Sequence, residues 1–297
     1  MPRWICYRLR VVKIPRLLLV LVDTEDLDLI HVNHRDDFEF VLASQESSHK
    51  YETVYERKTF TSDDNMREIR ASIMYFFRVT WLGHVFMPQE RPPMYEFLRE
   101  WHVREAQDVA GIREIAKTVT MFPPHVVVFD LDSTLITDEE RVRLRDSDIP
   151  ASLRRIKNVG AVLILWSYGS EIHVAESMSS TGLDNIFDIV ITRGSKPGQR
   201  VSARTRYDSK RASFFIDTSF KFDLQTAMMP KSPRVVLAFL EKAGVNYVKS
   251  LILVDDTKEN DYFYDLFILV RRAPEPRADW ASYEEKILDF LQQHDSI

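Results

Sequence analysis

The sequence predicts an α/β protein built on a parallel sheet, and three observations predict it. Four short apolar runs, Val126–Phe129, Ala161–Trp166, Phe187–Thr192 and Leu251–Val254, are rich in β-branched and aromatic residues and read as strands buried on both faces. Segments with apolar residues at helical spacing alternate with them. Finally, the runs stop at chemistry: the first at Asp130, the second at Ser167, the last at Asp255-Asp256. In an open α/β sheet the carboxyl ends of the strands open into the ligand crevice, so these side chains are candidates for a site.

Taken in order, the first third is predicted to be α+β and carries little readable chemistry. Arg3, Arg8, Arg10, Lys13 and Arg16 form a basic lead-in to the strand Leu17–Val22, a run far too short to span a membrane. It is also short for a signal-peptide core, and no small-residue cleavage pattern follows. Leu27–Val32, Phe38–Leu42 and Tyr51–Phe60 read as strands. Ser62-Asp63-Asp64 is placed to cap a helix from about Asn65, with Ile69, Ile73, Phe76 and Phe77 on one face. Pro92-Pro93 breaks the chain, and a second helix is predicted from Met94 to Lys117. A boundary near residue 120 then separates an accessory region, 1–120, from a second domain, 121–297. The accessory region is a candidate interaction or dimer surface.

In the second domain, Pro150 opens a helix that runs to about Asn158 and stops at Gly160. A helix with Ile172, Val174 and Met178 follows Ser170, and one with Val235, Leu237, Phe239 and Leu240 ends at Gly244. Phe267–Val270 is a further strand and Asp279–Gln293 the last helix. Between Arg193 and Arg211 seven basic residues face one acid, Asp208. Gly194, Pro197 and Gly198 make this a loop, and a solvated mobile loop is its plainer reading. Direct nucleic-acid contact there is the minor expectation. Ser213–Asp223 reads as a small hairpin.

Composition narrows the function classes. The chain has 297 residues, 45% hydrophobic and 29% charged, with a net charge of -5. It can build a large core and is poorly suited, as a whole, to binding nucleic acid. The single cysteine, Cys6, excludes an intramolecular disulfide and a cysteine zinc cage, which suits a cytoplasmic or nuclear compartment rather than a secreted protein.

The candidate site residues come from the strand ends. Asp130 and Asp132 follow the central strand, with Ser133 and Thr134 behind them. Close carboxylates repel, and a cation among them resolves the repulsion. Ser167 precedes Gly169 and a helix N-terminus, a good place to hold a phosphate oxygen, though a plain helix cap fits equally. Lys231 stands before a helix, and Asp255, Asp256 and Asn260 close the last motif.

This order of motifs resembles the haloacid-dehalogenase (HAD) superfamily of phosphohydrolases over about residues 121–270. Lys231 to Asn260 looks most like the capless magnesium-dependent members with an Asp-Asp-x-x-x-Asn motif, and is similar to the protein phosphatases of the polymerase tail. More narrowly, Val127–Leu135, Leu165–Gly169, Pro230–Leu237 and Leu253–Asn260 resemble a HAD-like family of baculoviral nucleocapsid-assembly proteins. The resemblance implies a Rossmannoid parallel sheet with helices on both faces and no cap. It implies Asp130 as nucleophile and Asp132 as general acid and base. Ser167 and Lys231 would hold the phosphoryl group, and Thr134 the nucleophile loop and the phosphate-binding end of the site. Mg²⁺ would be held by Asp130, the Asp132 carbonyl and one of Asp255 and Asp256, with Asp256 favoured.

The implied role is a protein phosphatase for nucleocapsid assembly and DNA packaging, located in the host nucleus and the virion nucleocapsid. Its implied partners are other nucleocapsid proteins and, as substrate, a phosphorylated, basic, DNA-condensing core protein; no membrane is implied, and homo-oligomerisation is left open. The competing reading is a structural assembly protein that keeps this fold with little or incidental phosphatase activity. A small-molecule phosphatase is a third reading, disfavoured by the missing cap.

Overall fold

The central strand of the larger sheet is His125–Phe129, every residue of which is buried. A strand whose residues from Val126 to Phe129 are apolar on both faces is stable only when covered on both sides, as in a parallel sheet. The computed structural model describes residues 1–47, 54–88, 94–99, 101–112, 123–193, 204–209, 213–217 and 231–296. Strands are labelled in chain order: β1 Arg3–Leu9, β2 Leu18–Asp23, β3 Phe40–Gln45, β4 Tyr55–Thr61, β5 Val85–Met87, β6 Val103–Glu105, β7 His125–Phe129, β8 Val162–Ser167, β9 Ile189–Thr192, β10 Arg204–Asp208, β11 Ser213–Asp217, β12 Ser250–Asp255 and β13 Leu266–Leu269.

The chain divides into two compact units. One comprises Met1–Pro123 and Pro233–Lys249; the other comprises Pro124–Ser232 and Ser250–Ser296. The helix Pro233–Lys242 therefore groups with the N-terminal residues, although Lys231, two residues before it, belongs to the second unit.

The second unit is organised by a seven-stranded sheet in the order β10-β11-β9-β8-β7-β12-β13. Neighbours run parallel except β10 and β11, which pair antiparallel. One face of β7, β8 and β12 sends Val127, Phe129, Leu163, Leu165, Ile252 and Val254 into a core with Leu153, Ile156, Val174, Met178, Trp280 and Ile287. Helices Ile149–Asn158, Glu171–Thr181 and Ala281–Asp295 supply five of the last six, and Trp280 is the residue that precedes the third. Ser170 caps the second helix by accepting from the His173 amide, and Gly182 ends it at φ +72°, a backbone region that penalises a Cβ. The first and third helices are tied by Arg155 to Glu284 at 2.7 Å, and by the Trp280 indole to Ser152 at 2.8 Å.

The first unit holds a six-stranded mixed sheet, β4-β1-β3-β2-β5-β6. β1 is antiparallel to β3 and β4, and the remaining pairs are parallel. Several expectations are corrected here. The basic lead-in contains a strand, β1, in which Trp4 to Tyr7 are buried in succession between Arg3 and Arg8. Leu27–Val32 is not a strand: Thr24–Leu29 is a 3₁₀ helix whose N-terminus is closed by a capping box of Asp23 and Asp26, and Val32–Arg35 is a helical turn. The cap of helix Met66–Phe77 is Asn65, which accepts from the Glu68 amide at 2.9 Å. The long helix expected over 94–117 is broken into Glu96–Arg99, strand β6 and a 3₁₀ turn at Ala106–Asp108. Asp64 anchors the amides of Glu96 and Phe97, and the chain turns before a longer helix forms.

In the second unit the basic loop includes strand β10, and the hairpin partner of Ser213–Asp217 lies upstream of it rather than downstream. Gly194, Pro197, Gly198 and the segment 218–230 lie outside the described residues.

Candidate active site

β7 delivers Asp130 to the end of the sheet, where its amide bonds the Val254 carbonyl of β12 at 3.0 Å. The chain then turns tightly: the amides of Thr134, Leu135 and Ile136 all reach the Leu131 carbonyl. Ser133 takes the left-handed conformation, φ +60°, which costs a non-glycine residue conformational energy. Its hydroxyl bonds Asp138. The turn leaves Asp130 buried and Asp132 with its side chain 41% exposed.

Lys231 sits between strand ends. Its ammonium is fully buried, bonds Asp130, and lies 2.8 Å from Oδ2 of Asp255. Its backbone is fixed as well: Oδ1 of the Asn260 side chain accepts from its amide at 3.3 Å, and the Tyr264 hydroxyl donates to its carbonyl at 2.6 Å. The Tyr168 ring covers the ammonium at 5.2 Å. Burial alone would lower the lysine's pKa, but Asp130 and Asp255 hold it above its ordinary value.

Asp255 is fully engaged. Oδ2 accepts from Lys231 and from the Asn260 amide group at 3.0 Å, and Oδ1 from the Thr257 amide at 2.8 Å. Asp256 is less confined: Oδ1 accepts from the Thr257 hydroxyl at 3.1 Å, and Oδ2 faces the exposed Arg272 guanidinium at 3.3 Å. Asp130, Asp255 and Asp256 each bring a carboxylate oxygen within 4.8 Å of the others'. Burial first, then the Asp255 charge, push the Asp130 carboxyl up to about 7 against the pull of Lys231. Burial and Asp255 raise Asp256 too.

The sequence-predicted residues therefore divide. Asp130, Asp132, Lys231, Asp255 and Asp256 line one cavity of about 510 Å³. Ser167 and Thr134 are fully buried and do not line it. The Ser167 hydroxyl donates to Asp132 Oδ2 at 2.9 Å and accepts from the Gly169 amide. The Thr134 hydroxyl faces Asp130 but forms no ordinary hydrogen bond among the described residues. The Asp132 carboxylate stands apart from the three-acid cluster.

Sequence reasoning missed four residues. His173 lies 2.7 Å from Asp132 Oδ1, Tyr168 and Tyr264 brace Lys231, and Arg272 joins Asp256 to Asp138. A histidine one turn into the helix after Ser167 was a usable signal; the other three had none.

A second constellation, Ser250–His125–Asp295, has the look of a hydrolytic triad, with contacts of 2.6 and 3.0 Å. Ser250 is fully buried at the opposite end of β12, so this group cross-links the sheet.

Fold and site define a mixed α/β protein with an acid cluster and one buried lysine at the ends of parallel strands. The chain belongs to the family described as "Protein of unknown function (DUF705)", whose profile matches residues 2–297. It is similar to an uncharacterized 36.0 kDa protein of Orgyia pseudotsugata multicapsid polyhedrosis virus, 37% identical over 99% of this chain and 97% of the relative. It is also similar to an uncharacterized 38.0 kDa protein from the P143-LEF5 intergenic region of Autographa californica nuclear polyhedrosis virus, 36% identical over 99% and 96%. A 41.0 kDa protein of Cryptophlebia leucotreta granulosis virus is 32% identical over 99% and 85%. The expected kinship with baculoviral proteins is thus shown at the level of the family. Among the described residues no helix is long and apolar enough to cross a membrane.

Proposed function

We propose that this protein is a Mg²⁺-dependent phosphohydrolase of HAD type that works through an aspartyl phosphate. The observation that supports it is the shared cavity: side chains from three distant stretches of chain, at 130–132, 231 and 255–256, meet around it. A scaffold protein has no physical need to bury a lysine among carboxylates there.

The donor set suits a divalent cation. Three carboxylates against one buried ammonium leave an excess of two negative charges, and all the free donors are hard oxygens. Asp130 and Asp256 would hold the ion, with the Asp132 carbonyl; Asp255 is occupied in orienting Lys231. The ion, when bound, supplies positive charge for the phosphoryl oxygens.

The chain's own residues carry the steps. An Asp130 oxygen attacks phosphorus, the bond to the leaving alkoxide breaks, and the Asp132 carboxyl protonates that alkoxide. Asp132, now ionised, takes a proton from water. The water oxygen attacks phosphorus, and Asp130 departs with the bonding pair, releasing phosphate. Lys231 holds the phosphoryl oxygens as a point charge. Ser167 joins it only by giving up its bond to Asp132.

The substrate we infer is a phosphorylated protein, because the segment 137–148 after the first motif is too short for a folded cap and leaves the crevice open. In an infected cell the fitting substrate is a basic, DNA-condensing core protein in the nucleus and nascent nucleocapsid. Its dephosphorylation restores positive charge and tightens its hold on DNA. A net charge of -5 favours such a partner. A second reading, an assembly protein with little activity, draws on the N-terminal unit, which adds a sheet but no further acid cluster among the described residues.

A chromogenic phosphate-ester assay with and without Mg²⁺ tests the proposal. Wild type turns over only with the ion, and Asp132→Asn loses at least about 100-fold in kcat while keeping its fold. Equal rates for both proteins would remove the enzyme reading.

A further inference from the structure

We propose that His173 is a positioning residue for Asp132, fixing the orientation from which that carboxyl exchanges its proton; the inference rests on the phosphohydrolase reading above. Of Asp130, Asp132, Asp255 and Asp256, Asp132 has the most exposed side chain, and it has no contact with Lys231 among the bonds that hold Asp130 and Asp255. Left to Ser167 alone, it would be tethered through a single oxygen. His173 supplies the second tether: Nε2 meets Oδ1 at 2.7 Å while the Ser167 hydroxyl meets Oδ2 at 2.9 Å. With each oxygen held from a different element, the helix Glu171–Thr181 and the end of β8, the plane of the carboxylate is set. In the step where Asp132 is ionised it only accepts, so Nε2 carries the hydrogen there.

Two features show that the chain is arranged around this contact. Gly169 has no conformational need to be glycine, since its φ is not positive. The need is space: a Cβ there would lie 2.7 Å from Cδ2 of His173 and 3.1 Å from the Ser167 hydroxyl. A side chain at this position would therefore have to push aside the His173 ring and crowd the Ser167 hydroxyl, the two tethers of Asp132. In addition, the Ser170 hydroxyl accepts from the backbone amide of His173 at 3.2 Å, so the cap that starts the helix also fixes where the imidazole departs.

The placement also locates His173 relative to solvent. Its ring, 43% exposed, lines a groove of about 1230 Å³ between residues 139–147, the helix Glu171–Thr181 and Pro276–Ala278, whereas Asp132 lines the catalytic cavity. The pair stands where the two spaces adjoin.

The test compares wild type with His173→Ala, His173→Gln and Gly169→Ala on an aryl phosphate with saturating Mg²⁺. His173→Ala is expected to lose about 10- to 100-fold in kcat, the scale of a misplaced catalytic group, with KM changed less than about threefold. Glutamine can place an amide N–H near the position of Nε2, and His173→Gln should recover most of the loss. Gly169→Ala should lower kcat in the same direction, and its effect should fall well short of additive in the double variant with His173→Ala. His173 is half-exposed, so thermal melting of His173→Ala should match wild type. An active wild type with kcat unchanged in His173→Ala, or with glutamine no better than alanine, overturns the positioning role alone. A wild type inactive on every phosphoester overturns the phosphohydrolase reading and this inference with it.

Discussion

The Lys231 ammonium bonds carboxylates from two neighbouring strand ends, Asp130 after β7 and Asp255 at the end of β12, the latter at 2.8 Å. One buried cation between two buried anions is an unbalanced arrangement. Removing it leaves both buried acids without their counter-charge, at a cost of about 3–5 kcal/mol. Lys231→Met should therefore lose that much stability in urea titrations without divalent ions, and Mg²⁺ should restore part of it. Stability equal to wild type in the absence of Mg²⁺ would contradict the assigned charge balance.

Asp130 links the site to pH. Its carboxyl is raised to about 7 by burial and by Asp255, against the opposing influence of Lys231 and the Thr134 hydroxyl. A carboxyl whose folded pKa exceeds its unfolded value contributes stability below the unfolded pKa and loses it as pH rises through the folded one. Without divalent ions, the protein should thus weaken between about pH 4 and pH 7 by no more than about 4 kcal/mol from this group. Urea midpoints at pH 5 and pH 8 measure this. Asp130→Asn should flatten the dependence and be the more stable protein at pH 8. An unchanged slope in that variant would assign the dependence elsewhere.

The two acids of the last motif should separate by role. Asp255 has its oxygens filled by Lys231, Asn260 and Thr257, whereas Asp256 meets only the Thr257 hydroxyl and an exposed arginine. Asp256→Asn should weaken Mg²⁺ binding by about 10- to 100-fold, as loss of a ligand does, with little effect on stability. Asp255→Asn should destabilise the fold and misplace Lys231. Calorimetric titration of Mg²⁺ into both variants, beside their thermal melts, distinguishes them, and a reversed pattern would exchange the assignments.

The fold carries its own prediction. Phe129 is fully buried and packs edge-on against Phe187 at 6.2 Å between centroids, with Trp280 at the same distance on another side. Phe129→Ala should cost about 3–5 kcal/mol, because a β-sheet centre closes a cavity poorly. It places Asp130, so activity should fall along with the urea midpoint. A loss under about 1 kcal/mol would mean that the core relaxes around the gap.

Legibility in the sequence followed burial. The strands β7, β8, β9 and β12 were readable because both of their faces are covered, which forces unbroken apolar runs. β1 was not, since Arg8 stands on the same face as buried Trp4 and Cys6 and is answered there by Glu39 at 2.9 Å, a contact that only folding creates. Over the described residues 94–112 the expected helix is interrupted because helical spacing is indistinguishable, over so few turns, from that of a short helix, a strand, a turn and a helical stretch at 109–112, which together with Trp101 bury Phe97, Val109 and Ile112. At the site, acids at strand ends were legible from local pattern. Tyr168, Tyr264 and Arg272 were not, because each acts through a contact that only folding creates.

The central claim is that Asp130 becomes covalently phosphorylated. Acid-quenching a turnover reaction, digesting it and reading the peptide that spans Asp130 by mass spectrometry tests this directly. Wild type with Mg²⁺ should carry one phosphoryl group on that aspartate, enriched when Asp132→Asn blocks hydrolysis of the intermediate, and Asp130→Asn should carry none. Phosphate release by Asp130→Asn at the wild-type rate, or turnover with no label on that peptide, would contradict the account.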